Sequence, residues 1–152
     1  MKRQAERKER VERHDQRYRF WEGLIAAAKV HGAAGATRSP TKDNWINASI
    51  GRGGFNLVYT VRQSDNSISL WVYDDPAAFA TLRDQRSEIE ADFGSPLIWK
   101  EEEGQHGRAI IFNQEGGYRS SPDDLPGIQE RMVEAMIRLD RALRPRVQRL
   151  PS

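Results

Sequence analysis

Five lysines, three histidines and 22 carboxylates are the side chains this chain could bring to acid–base or metal chemistry, and it has no cysteine. A nuclease core of the PD-(D/E)xK kind sets a carboxylate two positions before a lysine, so that a metal ion and an activated water meet beside it. Lys29, Lys42 and Lys100 are preceded at that spacing by Ala27, Pro40 and Ile98. Lys8 follows Glu6, but inside a charged run with no strand pattern. His14, His31 and His106 lack the HxH, HxxxH or HExxH spacings of zinc and histidine-metal sites. Gly51-Arg52-Gly53-Gly54 offers backbone N–H groups to a phosphate. It lacks the GK[ST] ending of a phosphate loop, and a hairpin turn needs such glycines anyway. No GxSxG elbow occurs. Asp74-Asp75 precedes Pro76, where capping accounts for Asp75, and Glu101-Glu102-Glu103 falls at a strand end. The sequence thus predicts no catalytic residue, no metal site and no cofactor.

Cationic constellations remain. The loop Arg38-Ser39-Pro40-Thr41-Lys42-Asp43-Asn44-Trp45 brings two cations, two hydroxyls and an aromatic ring together, with Arg52 and Arg62 close in the following strands. Gly117-Tyr118-Arg119 is a second group. Both also suit loops held to a core by hydrogen bonds. The net charge of +2 conceals a split. Residues 1–19 and 137–152 each carry a net +4, while the 117 residues between them carry 11 basic and 17 acidic groups. An acidic body with basic ends argues against a footprint made by the fold itself and permits one made by the two ends, provided they lie together in space. Arg17 at one end and Arg144 and Arg146 at the other join Arg38, Lys42, Arg52 and Arg119 as candidate nucleic-acid or anion contacts. Ordinary solvated helix faces are the competing reading of the same charges.

The elements that must position these residues follow from pattern. Residues 3–31 read as a helix whose apolar face starts at Phe20, Leu24, Ala27 and Ala28. Upstream, Val11, Tyr18 and Ile25 form a sparse seven-residue seam. Residues 1–19 are expected to be a charged helical extension and 20–152 a single domain. Alternation over Trp45–Ile50, Phe55–Val61 and Ile68–Tyr73 predicts a three-stranded meander, with Ser64–Ser67 as its second turn. Asp75-Pro76 starts a helix carrying Phe79, Leu82, Ile89 and Phe93, and Gly94 ends it. Leu97–Glu101 and Arg108–Phe112 make a hairpin. A last helix bears Ile128, Met132, Met136, Leu139 and Leu143 and stops at Pro145. The expected class is α+β, an antiparallel sheet of about five strands with three helices in the order α-β-β-β-α-β-β-α. No apolar run approaches the ~20 residues of a membrane span. The chain is therefore expected to be soluble and free of membrane partners, and its lack of cysteine makes a cytoplasmic location the expectation.

The segments FWEGL (Phe20–Leu24), RSPTKDNW (Arg38–Trp45), GRGGF (Gly51–Phe55), EIEADFG (Glu88–Gly94), GGYR (Gly116–Arg119) and IQERMVEAMIRLDRALRP (Ile128–Pro145) occur in an order that resembles the prokaryotic domain of unknown function numbered 4268. The resemblance covers about residues 17–146. It implies an accessory module, often C-terminal to a restriction- or repair-nuclease-like domain, and brings no catalytic residue with it. The first functional expectation is a non-catalytic module of a DNA-defence or DNA-processing system that binds nucleic acid non-specifically through its basic ends. Protein interaction or self-association as a homo-oligomer is the alternative, and a nuclease with an unfamiliar site the third.

Overall fold

Strong helix formers without Gly or Pro from Lys2 to Arg19 let the chain begin as one long helix, Lys2–His31 (α1). At ~1.5 Å per residue it is about 45 Å long. The structure is a computed structural model and describes residues 2–151. After α1 come strands Trp45–Ser49 (β1), Phe55–Val61 (β2) and Asp65–Tyr73 (β3), and helices Pro76–Asp84 (α2) and Arg86–Phe93 (α3). Strands Ile98–Lys100 (β4) and Gly107–Glu115 (β5) and helix Leu125–Gln148 (α4) complete the chain. All neighbouring strands pair antiparallel, in the order β1-β2-β3-β5-β4. The class and the five-stranded sheet are as the sequence predicts.

One face of the sheet is the core. Ile46, Ala48, Leu57, Tyr59, Ile68, Leu70, Val72 and Ile110 are buried against Leu24, Ala28, Met132, Met136, Leu139 and Leu143 of the terminal helices. The FWEGL segment shows how α1 and α4 approach. Phe20 and Trp21 are buried, and a Cβ on Gly23 would lie 2.4 Å from the Gln129 side chain. With no Cβ there, Gln129 crosses to α1 and donates to the Phe20 carbonyl at 3.0 Å. Tyr59 donates to the Ala34 carbonyl at 2.7 Å, tying the loop after α1 to the sheet. Burial, reinforced by Asp140, raises its hydroxyl far above the ordinary phenol value.

Four differences from expectation have physical causes. There are four helices rather than three, in the order α-β-β-β-α-α-β-β-α. The predicted single helix breaks at Gln85 (φ −102°, ψ 18°) with no Gly or Pro to announce it. There α2 stays on β3 while α3 turns onto α4, and Arg146 of α4 donates to the Gln85 side chain at 3.2 Å. The second meander turn is shorter than expected, because Arg62 donates from Nε to the Asp65 carboxylate at 2.6 Å and from its backbone to the Asp65 carbonyl. Asp65 and Asn66 thereby join β3. Pro145 does not stop the last helix. Val147 is buried beyond it, and Arg52 donates to the Val147 and Leu150 carbonyls at 3.0 and 2.8 Å, closing the helix past the proline. Lastly, Val11 and Tyr18 are exposed whereas Ile25 is buried, so the three do not form one seam.

Glu90 of α3 shows how a helix holds a strand. Its carboxylate accepts the Leu97 backbone N–H at 2.7 Å and the Trp99 indole N–H at 3.4 Å, at the entry to β4. The Leu97 bond, against some desolvation, holds its pKa below the usual glutamate value. A carboxyl depressed in the folded state contributes stability above its unfolded pKa and loses it as the pH falls through the folded one. Glu90→Gln is therefore expected to cost roughly 1–2 kcal/mol at neutral pH, the scale of a charged hydrogen bond. Urea unfolding of the variant should show a smaller difference between neutral and acidic pH than the parent does.

Candidate nucleic-acid interface

Which side of α1 faces the body is set by Trp21, Leu24 and Ala28, all buried. Tracing that side towards the N-terminus in alternating steps of three and four residues meets Arg17, His14, Arg10, Arg7 and Arg3. The apolar stripe of the second half of the helix thus continues as an arginine stripe in the first half. Glu9, Glu12 and Asp15 fall on other sides, and Glu6 alone interrupts it. At ~1.5 Å per residue the stripe runs about 21 Å from Arg3 to Arg17. Arg13, His14 and Arg17 are half-buried where the arm leaves the body, and residues 2–12 are exposed.

Of the residues singled out by sequence, three gather at the root of this arm. The Arg17 guanidinium lies over the Tyr118 ring, 5.4 Å from its centroid, and reaches the Lys42 carbonyl at 3.5 Å. Arg119 lies 3.8 Å from Glu9 and 3.4 Å from the Gln63 side chain. Gly117 permits this corner. A Cβ there would lie 2.1 Å from the Arg62 carbonyl, to which the Tyr118 N–H donates at 3.0 Å. Trp21 donates to the Asp43 carbonyl at 2.8 Å, fixing the loop that carries Lys42 and Trp45 to the helix.

Arg52, Arg144 and Arg146 lie elsewhere and are engaged. Arg52 caps α4 through the carbonyls of Val147, Leu150 and Pro151, with its guanidinium 5.3 Å from the Phe55 ring centroid. Arg144 makes a two-pronged pair with Asp140 at 2.7 and 3.0 Å. Arg146 reaches Asp92 at 2.8 Å and the Ala142 carbonyl at 2.7 Å. Although α1 and α4 pack together, the two basic ends do not make one edge. The arm leaves beside Lys42, ahead of β1, whereas the end of α4 meets the Gly51–Arg52 turn after β1 through Arg52 and Arg144, and Arg146 lies against α3. Among the acidic groups, Asp75 caps α2 through the Ala78 N–H at 3.0 Å. Glu101 pairs with Arg83 and Arg108, and exposed Asp74 holds His106 at 2.9 Å.

The sequence does not announce the second face of the sheet as a surface. Trp45 and Asn47 of β1, Val58 and Thr60 of β2, and Trp71 and Tyr73 of β3 point away from the helices. They line a hollow of about 280 Å³ together with Asn44. Trp45 and Tyr73 are 48% and 40% exposed, too much for a covered sheet face. Trp71 and Tyr73 stack with centroids 6.2 Å apart and planes 16° from parallel. Lys100 stands over Trp71 at 5.7 Å. Gly107 of β5 makes room for both rings, since a Cβ there would lie 3.0 Å from Trp71 and 3.2 Å from Tyr73. A second hollow, of about 380 Å³, shares Trp45 and Asn47 with the first and is lined by Arg38, Thr41 and Asp43. Arg38 is exposed and donates from Nε to the Asn47 carbonyl at 2.6 Å. The alternation over Trp45–Ser49 and Ser69–Tyr73 is the signal for this face, but by itself it says only that these segments are strands.

Among the described residues no group of three or more His, Asp or Glu could hold a metal ion. No described helix is long and apolar enough to cross a membrane. Residues 16–147 match the family described as domain of unknown function 4268, and the chain belongs to that family. No curated protein and no solved structure matches the chain.

Proposed function

From membership of a family without an assigned activity, we propose that this chain is a non-catalytic nucleic-acid-binding module that grips the phosphate backbone with the arginine stripe of α1. The observation that carries this reading is the change of residue type along one helix side. Trp21, Leu24 and Ala28 are buried there, and Arg3, Arg7 and Arg10 occupy the same side where the helix has left the body. About 21 Å of stripe matches roughly six phosphates at the ~3.4 Å rise of one strand. Arginine forks suit phosphate oxygens, and no recognition pattern for base edges accompanies them. Asp75 serves as a helix cap, Glu101 pairs with two arginines and Asp74 holds His106, which supports a binding role over a catalytic one. The family resemblance adds a setting to the reading, an accessory module of DNA defence or processing beside a nuclease-like domain.

Fluorescence anisotropy with a labelled duplex, in a salt series, tests the proposal. A plot of log affinity against log salt should fall with a slope of about −2 to −4, from three or four released counterions. No binding at low salt overturns it, and light scattering that then shows a dimer moves the reading to self-association.

A further inference from the structure

We infer that the open face of the sheet is a stacking platform for the unpaired bases of single-stranded nucleic acid, which makes single strands the preferred substrate of the module. This rests in part on the phosphate-binding reading above and adds a substrate class to it. The floor of the aromatic hollow is Val58 and Thr60, Trp45 stands to one side on β1, and the Trp71–Tyr73 stack stands to the other on β3. Flat exposed rings on a sheet accept base faces whatever the sequence, and only unpaired bases can present those faces. Asn44, Asn47 and Thr60 around the rings offer donors and acceptors that suit base edges.

The charges choose among occupants. In the rows between Trp45 and Tyr73, Lys100 is the one charged side chain that the strands place on this face. The adjoining hollow adds the exposed guanidinium of Arg38 just past Trp45. Asp43 is the single carboxylate lining either hollow, so an anionic polymer fits better than an acidic or neutral peptide. The platform is also joined to the arm. The loop ahead of Trp45 is held by Arg17 and Trp21 of α1 at Lys42 and Asp43. A strand whose phosphates follow the arginines as far as Arg17 therefore comes to the Lys42–Asp43 loop that leads into Trp45.

The full chain is titrated at about 0.3 M salt, which suppresses backbone contacts, with oligodeoxythymidylate, oligouridylate and a duplex of equal length. Both single strands should bind more tightly than the duplex and quench tryptophan fluorescence. Trp45→Ala and Trp71→Ala should each weaken single-strand binding about tenfold, the equivalent of ~1.4 kcal/mol of stacking. The salt slope and duplex binding should not change, and Trp71→Phe should recover most of the loss. Trp45 is the safer site, being exposed, and circular dichroism checks the fold of each variant. Equal binding of single strands and duplex, or aromatic variants that bind like the parent, overturns the platform and leaves the arm reading standing. If arm variants bind single strands normally while the aromatic variants fail, the arm reading falls and the platform stands. Quenching by an extended peptide with none by oligonucleotide also overturns it.

Discussion

Replacing Arg3, Arg7 and Arg10 together with glutamine is expected to make the salt slope shallower by two to three and to weaken binding about a thousandfold at about 0.05 M salt. Every phosphate that an arginine no longer neutralises takes ~0.7 off the slope on a single strand and ~0.9 on a duplex. Three such phosphates, extrapolated over the ~1.3 decades to about 1 M salt, give roughly three orders of magnitude. Stability should hardly move. These side chains are exposed and make no described ion pair, and glutamine is nearly as good a helix former as arginine. The control is Arg141 and Arg149 of the C-terminal basic end, both exposed, replaced in the same way. A comparable loss there would show that net charge rather than the stripe controls binding. Unchanged anisotropy in the arm variant would remove the stripe from the interface.

That stripe marks the boundary between what a sequence carries and what it does not. Every arginine in it is visible, and so are the steps of three and four. What the sequence lacks is the phase. Val11 and Tyr18 are the large apolar groups of the arm and draw the seam to themselves, yet the structure leaves both exposed. The side that faces the body is fixed by Trp21, Leu24 and Ala28 farther along, and only extending their phase backwards lines up the arginines. The strands are legible because alternation is local: Leu57, Tyr59 and Val61 are buried together as their spacing requires. The break at Gln85 is not, because it goes with contacts to a distant element: α3 packs on α4, whose Arg146 donates to the Gln85 side chain. Arg52 and Arg144 share the difficulty. A guanidinium that caps a helix 95 residues away reads in sequence like one free to meet a ligand. Short-range pattern gives elements and faces, and the fate of a long cationic side chain is settled by tertiary neighbours.

Trp21 is where the core and the candidate interface meet, so its replacement is expected to have the largest effect on stability. The ring is fully buried, packed edge-to-face on Phe20 with centroids 5.6 Å apart. Trp21→Ala should cost roughly 3–5 kcal/mol, the sum of forfeited transfer energy and the cavity left behind. Against the roughly 5–15 kcal/mol typical of a domain, that is a large fraction of the total, and a urea midpoint should show it. Trp21→Phe separates the two jobs of the side chain. It keeps a ring in the core but loses the indole N–H that holds the Asp43 carbonyl, a bond worth about 1 kcal/mol. Its unfolding midpoint should therefore fall far less than that of the alanine variant. The loop from Arg38 to Asn44, however, loses one of its ties to α1 just ahead of Trp45. On the platform reading, Trp21→Phe weakens single-strand binding at about 0.3 M salt while duplex binding at low salt persists, since the arginines of the arm are untouched. A phenylalanine variant that binds single strands as the parent does would show that Trp45 is positioned by β1 alone, through its pairing with Thr60.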